Sequence, residues 1–188
     1  IVQRLSYTGD LGYEIYTDAM DQRSLWDALW NQGQKHGMRP FGMRAMMSLR
    51  LDKFFGSWLN EFSPDYTPAE TGMDRFIAFE KKADFIGRTA AEAERQTGAR
   101  RKLVVFEVDA DDADAVGYEP VWIAGSVKGF CTSGGYSHYA KKSIALALVD
   151  SDSLSDELEA EIEILGDMRD AKRINQMLFD ADGQRMRG

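Results

Sequence analysis

At 188 residues the chain suits one ordinary domain or two small ones. Its 23 basic and 31 acidic side chains give a net charge of −8, which repels phosphate backbones and argues against non-specific nucleic-acid binding, while leaving room for a small anionic ligand in a local pocket. Cys131 stands alone and His36 and His138 are far apart, so neither an internal disulfide nor a zinc cluster is available, and no apolar run approaches the roughly 20 residues of a membrane span.

The single cysteine fits a reducing compartment. No signal peptide is visible, and the chain starts at Ile1 without a methionine, as expected of a processed protein or of a piece of something longer.

Residues 3–16 read as a hairpin turning at Thr8-Gly9-Asp10, with Gly12 to Tyr16 returning as an alternating strand. The stretch SYTGDLGYEIY poses a chemical question. Glu14 is a carboxylate between Tyr13 and Tyr16, where a strand that only has to fold would carry Thr or Val. It marks either a solvated edge or a binding face.

Asp21 opens a helix whose Leu25, Trp26, Leu29 and Trp30 recur at three- and four-residue spacing. This predicts a core-facing stripe ended by Gly33. After the Pro40 and Gly42 punctuation a second helix is expected over about Met43–Lys53, with Arg50 and Asp52 as an ion pair near its end. A turn-rich loop (63–70), a short strand (74–81) and a helix over about Thr89–Gln96 follow, and Gly98–Lys102 is a basic linker.

From Leu103 the pattern becomes β, with strands at 103–108, 118–122, 127–131, 143–149 and 158–165 separated by glycine turns. The expected fold class is therefore α+β, closing with a small antiparallel barrel or sandwich. The acidic run Asp109–Asp114 lacks the glycine and the terminal glutamate of a calcium loop and reads as a solvated hairpin tip.

Several stretches fall into a familiar order: Tyr7-Thr8-Gly9-Asp10-Leu11-Gly12-Tyr13-Glu14, Ser48–Asp52 and Thr67–Gly72 resemble, in turn, the YTGE-x-G-x-E signature, the SLRLE helix and the TP-x-EAG loop of the glycine-cleavage T-protein, a folate-dependent aminomethyltransferase. Asp84–Arg88 resembles DFIGK and is followed by Arg101–Val104, while Gly129–Gly134 and Lys142–Leu146 resemble the later G-x-x-TSG and K-x-IAL elements. Glu119–Trp122, Thr132–His138 and Gly42–Ala45 resemble the C-terminal half of the dimethylglycine and sarcosine dehydrogenases, which append such a module to an FAD-dependent half. Met46 stands where the T-protein has an arginine, a departure from a free-standing glycine-cleavage enzyme.

The resemblance implies an α+β folate-binding domain, present here as its C-terminal part (1–98), followed by a β-barrel domain (99–188). It implies tetrahydrofolate as cofactor, with Glu14 bonding the pterin ring, Tyr7 lining the same pocket, and Lys102 meeting the folate glutamate tail. A pterin edge presents an amino group and a ring N–H side by side, and a carboxylate accepts both. FAD would belong to an N-terminal flavin half of the same polypeptide, since no G-x-G-x-x-G follows a strand here.

The family's catalytic aspartate lies in the half preceding Ile1. No residue of this chain is therefore assigned a catalytic role, and the chain alone is expected to bind folate weakly or not at all. The setting implied is the cytoplasm of a bacterium or the mitochondrial matrix of a eukaryote. Two alternatives stay open: a folate-dependent aminomethyltransferase or demethylase without a flavin half, and a non-catalytic folate-sensing or assembly module.

Overall fold

A computed structural model describes residues 1–188. The expected hairpin forms from β1 (Val2–Arg4) and β2 (Tyr13–Ile15), paired antiparallel with Gln3 opposite Glu14. Between them the turn is closed by the Leu5 N–H donating to Gly12 O at 3.1 Å and by the Gly9 N–H donating to Ser6 Oγ at 3.0 Å. Gly9 has a φ of +93°, a conformation open to glycine at little cost.

The first helix, α1 (Gln22–Gly33), buries no residue, contrary to the core role expected for its tryptophans. Trp26 is 55% exposed and stacks on Trp30 with centroids 5.9 Å apart. Periodicity identified the apolar stripe but says nothing of what faces it. The stop also moves. Gly33 is helical, the chain runs on through a 3-10 turn (Gln34–His36), and Gly37 at φ +75° terminates it.

Helix α2 (Met43–Leu51) lies against the barrel wall, where Leu51 joins Val105, Ile144 and Leu146 in a buried cluster. The strand expected over 74–81 does not form. A 3-10 turn occupies Asp74–Phe76, and the carbonyls of Phe79 and Lys81 accept bonds from the Arg88 guanidinium at 2.8 and 3.1 Å. A side chain thus satisfies groups that a neighbouring strand would otherwise pair. Arg88 itself opens α3 (Arg88–Thr97).

The remainder is a closed antiparallel barrel in the order β3-β6-β5-β4-β7-β8. Its strands are β3 (Arg101–Val108), β4 (Pro120–Ile123), β5 (Ser126–Ser137), β6 (Lys142–Asp150), β7 (Glu159–Ile164) and β8 (Asp167–Ile174). Closure settles barrel over sandwich.

Inside sit Val104, Phe106, Val121, Cys131, Ala145, Ala147 and Ile162, while Ile144 and Leu146 of β6 face outward under α2. With both faces covered, Ser143–Val149 is buried throughout and reads as a continuous apolar run rather than an alternating one. Each wholly buried Val, Leu, Ile or Phe contributes about 1.5–3 kcal/mol, so stability concentrates in the barrel and at the α2 contact.

Three details depart from expectation. Thr132-Ser133-Gly134, whose small and glycine residues read in sequence as a turn bracing the barrel, is the bulged middle of β5, the register shifting between Cys131 and Ser133. The Asp109–Asp114 run is not a hairpin tip, because β3 pairs with β6 and β8 rather than with β4. Strand β8, with only Ala171 buried among its charged residues, carried too weak an apolar signal to be foreseen.

Cys131 is fully buried inside the barrel, and burial, with Glu119 adding, pushes its thiol far above the ordinary range. The thiolate is the reactive form. Cys131 in the native protein at pH 8 is therefore expected to resist an aromatic disulfide reagent and to react only as fast as the barrel opens. Prompt stoichiometric labelling without denaturant would contradict this.

Candidate functional site

The site is built from the hairpin, the end of α2 and the loop after it. Glu14 and Tyr16 are two residues apart on an extended segment and so share a face. The Tyr16 hydroxyl donates to Glu14 Oε2. That bond is the main reason the phenol is held above its usual pKa, with the carboxylate's charge adding to it.

Glu14 and Tyr16 open on a cavity of about 880 Å³ that is also walled by Tyr7, Met47, Trp58 and Tyr66. The Tyr7 hydroxyl donates to Gly56 O at 3.1 Å, and its ring stacks on Phe55 at 6.4 Å. Burial raises the Tyr7 pKa, Arg50 lowers it and Glu61 raises it, with burial the largest of the three.

Beneath this wall lies a buried charge cluster that sequence reading misassigned. Arg50 does not pair with Asp52. Its guanidinium stands 3.4 Å from Glu61 Oε2 and donates to Phe55 O at 2.9 Å, and both charged side chains are essentially inaccessible. Residues i and i+2 of a helix point to different sides, which is the physical reason the expected pair fails.

Glu61 also accepts the Ser57 N–H at 2.8 Å and the hydroxyl of Ser133 on β5. One carboxylate thereby ties the cavity loop to both α2 and the barrel. Asp52 turns the other way, toward Ser137 and His138, and burial raises its pKa.

A second cavity of about 710 Å³ shares Leu5, Tyr7, Gly56 and Phe62 with the first and reaches the barrel at Leu103–Val105. A third, of about 420 Å³, lies apart on the barrel and is walled by Trp122 and five carboxylates, among them Glu107, Glu159 and Glu161. Its charge disfavours an anionic ligand, so the aromatic cavity is the better candidate.

The structure brings together Tyr7 and Glu14, two of the three residues singled out by sequence. Lys102 is exposed on β3 opposite Val149 and lines neither the first nor the second cavity. Sequence reading did not identify Tyr16, Trp58 and Tyr66 as site residues. Tyr16 was signalled by its alternation with Glu14, whereas Trp58 and Tyr66 sit in irregular loop with no periodicity to mark them.

Chemically, the cavity offers aromatic faces and one carboxylate. Oε1 of Glu14 has no hydrogen-bond partner within the chain, and Oε2 keeps a further lone pair beyond its Tyr16 bond. Such a wall suits a flat heterocycle that presents two adjacent N–H donors.

Comparison with known proteins converges on one family. Residues 1–81 match the GCVT N-terminal domain, and residues 101–180 match the glycine cleavage T-protein C-terminal barrel domain. The chain is 41% identical over 163 residues to the mitochondrial dimethylglycine dehydrogenase of Homo sapiens, covering 87% of this chain and 19% of that one. It is 38% identical over 164 residues to the aminomethyltransferase of Bacillus cereus (strain AH187), covering 87% and 44%.

In fold it resembles the crystal structure of the glycine cleavage system aminomethyltransferase T from Bartonella henselae, with a TM-score of 0.84 at 23% identity over 96% of this chain and 50% of that one. The chain thus spans about a fifth of the length of the dehydrogenase and under half of the Bacillus enzyme. Matched on residues 1–81 to one domain of the T-protein and on residues 101–180 to the other, it belongs to the glycine-cleavage T-protein (aminomethyltransferase) family.

Proposed function

We propose that this chain is part of a tetrahydrofolate-binding one-carbon-transfer module, which in the complete polypeptide captures carbon released by FAD-dependent oxidation of an N-methyl amine of the dimethylglycine or sarcosine class. The observation that carries the reading is the meeting of Glu14, Tyr16 and Tyr7 in one aromatic-walled cavity. The residues fit the cofactor. A carboxylate with free acceptor sites meets the adjacent donors of a pterin edge, and Tyr16 fixes its direction.

Tetrahydrofolate, when bound, supplies the nitrogen that accepts the one-carbon unit. The chain's own residues bind and orient it. Glu14 sets the ring's rotation, Tyr7 and Trp58 offer apolar faces, and the barrel closes the far side of the adjoining cavity. Holding the acceptor in place makes capture a matter of proximity and keeps the released carbon out of bulk water. A meeting between the Lys102 ammonium and the acidic folate tail is proposed on the family resemblance alone, since Lys102 lines neither cavity and alternates on β3 with Leu103, which lines the second.

FAD is assigned to the flavin half proposed to precede these residues, which carry no G-x-G-x-x-G after a strand. The similarity to mitochondrial dimethylglycine dehydrogenase supports this arrangement, as does Met46. The similarity to the Bacillus aminomethyltransferase favours a second reading, the same module without flavin.

The full polypeptide, supplied with N,N-dimethylglycine or N-methylglycine and saturating tetrahydrofolate, is expected to show flavin absorbance and to yield methylene-folate. Free formaldehyde as the only product rules out transfer. Methylene-folate formed from an aminomethyl donor by a protein without flavin selects the second reading.

A further inference from the structure

Beyond β8 the chain leaves the barrel and returns to the hairpin. The N–H groups of Leu178 and Phe179 both donate to Asp52 O, at 3.0 and 3.2 Å. Lys53, 1% exposed, donates from Nζ to Phe179 O at 3.2 Å and to Asp180 O at 2.6 Å, and the Asp180 carboxylate lies 4.0 Å away. That carboxylate accepts the N–H groups of Gln184 and Arg185, each at 3.0 Å, folding the last residues into a turn. Arg185 then reaches Asp10 at 2.6 Å.

The hairpin turn rests on this assembly. A Cβ on Gly9 would fall 2.8 Å from the Lys53 stem and 3.0 Å from the Phe179 ring, so the turn backbone packs directly on both. Gly9 lies two residues after Tyr7 and five before Glu14. No residue from 178 to 188 lines the aromatic cavity. The tail therefore touches what holds the site residues, and not the ligand.

We propose that segment 178–188 is a strap that positions the Tyr7–Glu14 limb, with Lys53 as the positioning residue that fastens it; as a statement about ligand binding this rests on the folate reading. Lys53 dominates because its bonds are charge-assisted and desolvated. Arg185–Asp10 is an exposed pair and contributes little. Coupling of this kind is reciprocal: whatever factor the strap adds to ligand affinity, the ligand must add to strap docking.

The test is amide hydrogen exchange and tetrahydrofolate titration on the full polypeptide, comparing wild type, Lys53→Met and a deletion of residues 178–188. In wild type, tetrahydrofolate is expected to slow exchange at Leu178 and Phe179 about 5- to 30-fold. Both variants are expected to bind it weaker by a similar factor while β5 and β6 stay protected. The deletion covers the case in which Lys53→Met does not fold, because it opens the ammonium to water.

A deletion variant whose affinity stays within twofold of wild type overturns the strap, as does wild-type exchange at Leu178 and Phe179 that ignores the ligand. If wild type binds no tetrahydrofolate, the functional reading falls separately. The strap is then judged without ligand, by whether freeing the tail speeds exchange at Leu5 and Gly9; unchanged rates there overturn it.

Discussion

Glu14→Gln in the full polypeptide is expected to weaken tetrahydrofolate binding roughly 10- to 100-fold, a loss of about 1.5–3 kcal/mol. The side chain keeps its shape, so the effect isolates chemistry. Glutamine replaces one acceptor oxygen with an NH₂ donor, which faces a ring edge that also donates. Tyr16→Phe removes only the bond that orients the carboxylate and should cost less, within about 1 kcal/mol. Isothermal titration of the three proteins separates the effects, and an affinity for Glu14→Gln equal to wild type would remove this carboxylate from the site.

The second large effect is on stability. Glu61→Ala leaves the Arg50 guanidinium, 1% exposed, without its counter-charge and strips the Ser133 hydroxyl and the Ser57 N–H of their acceptor. Breaking a buried pair from one side costs about 3–5 kcal/mol, which for a chain of this size lowers the melting midpoint by roughly 6–20 °C.

The paired replacement Arg50→Met with Glu61→Leu removes both charges together and should recover part of the loss, since the pair's own net contribution is small beside the penalty of orphaning one member. Denaturant titration decides the matter. A Glu61→Ala protein within 1 kcal/mol of wild type would show that water reaches Arg50.

What sequence could and could not reveal follows from the kind of signal each element emits. The barrel strands β3, β6 and β7 declared themselves because burial on one or both faces writes a periodic or continuous apolar pattern. In β8 that pattern is reduced to Ala171, and in β5 the glycines and the bulge at Cys131–Ser133 resemble a turn. The segment 74–81 has strand-like composition, yet its carbonyls are claimed by Arg88, ten residues from the middle of the run.

At the site, Glu14 was conspicuous because it breaks the economy of a folding strand, and Tyr7 came with the motif around it. The Arg50–Glu61 pair, by contrast, joins a helix to an irregular loop, and no spacing rule reaches across such a loop. The supposed Arg50–Asp52 pair was refutable without a structure, from helix geometry alone.

Closure of the barrel has one more consequence. A sheet wrapped on itself has no rim at which a stranger's backbone can dock, so β3–β8 present no template for intermolecular ladders. The two-stranded hairpin does have open rims, each only three residues long. Among the strands of this chain, edge-to-edge pairing is therefore confined to the hairpin, and the rim on β2 belongs to the segment that also carries Glu14.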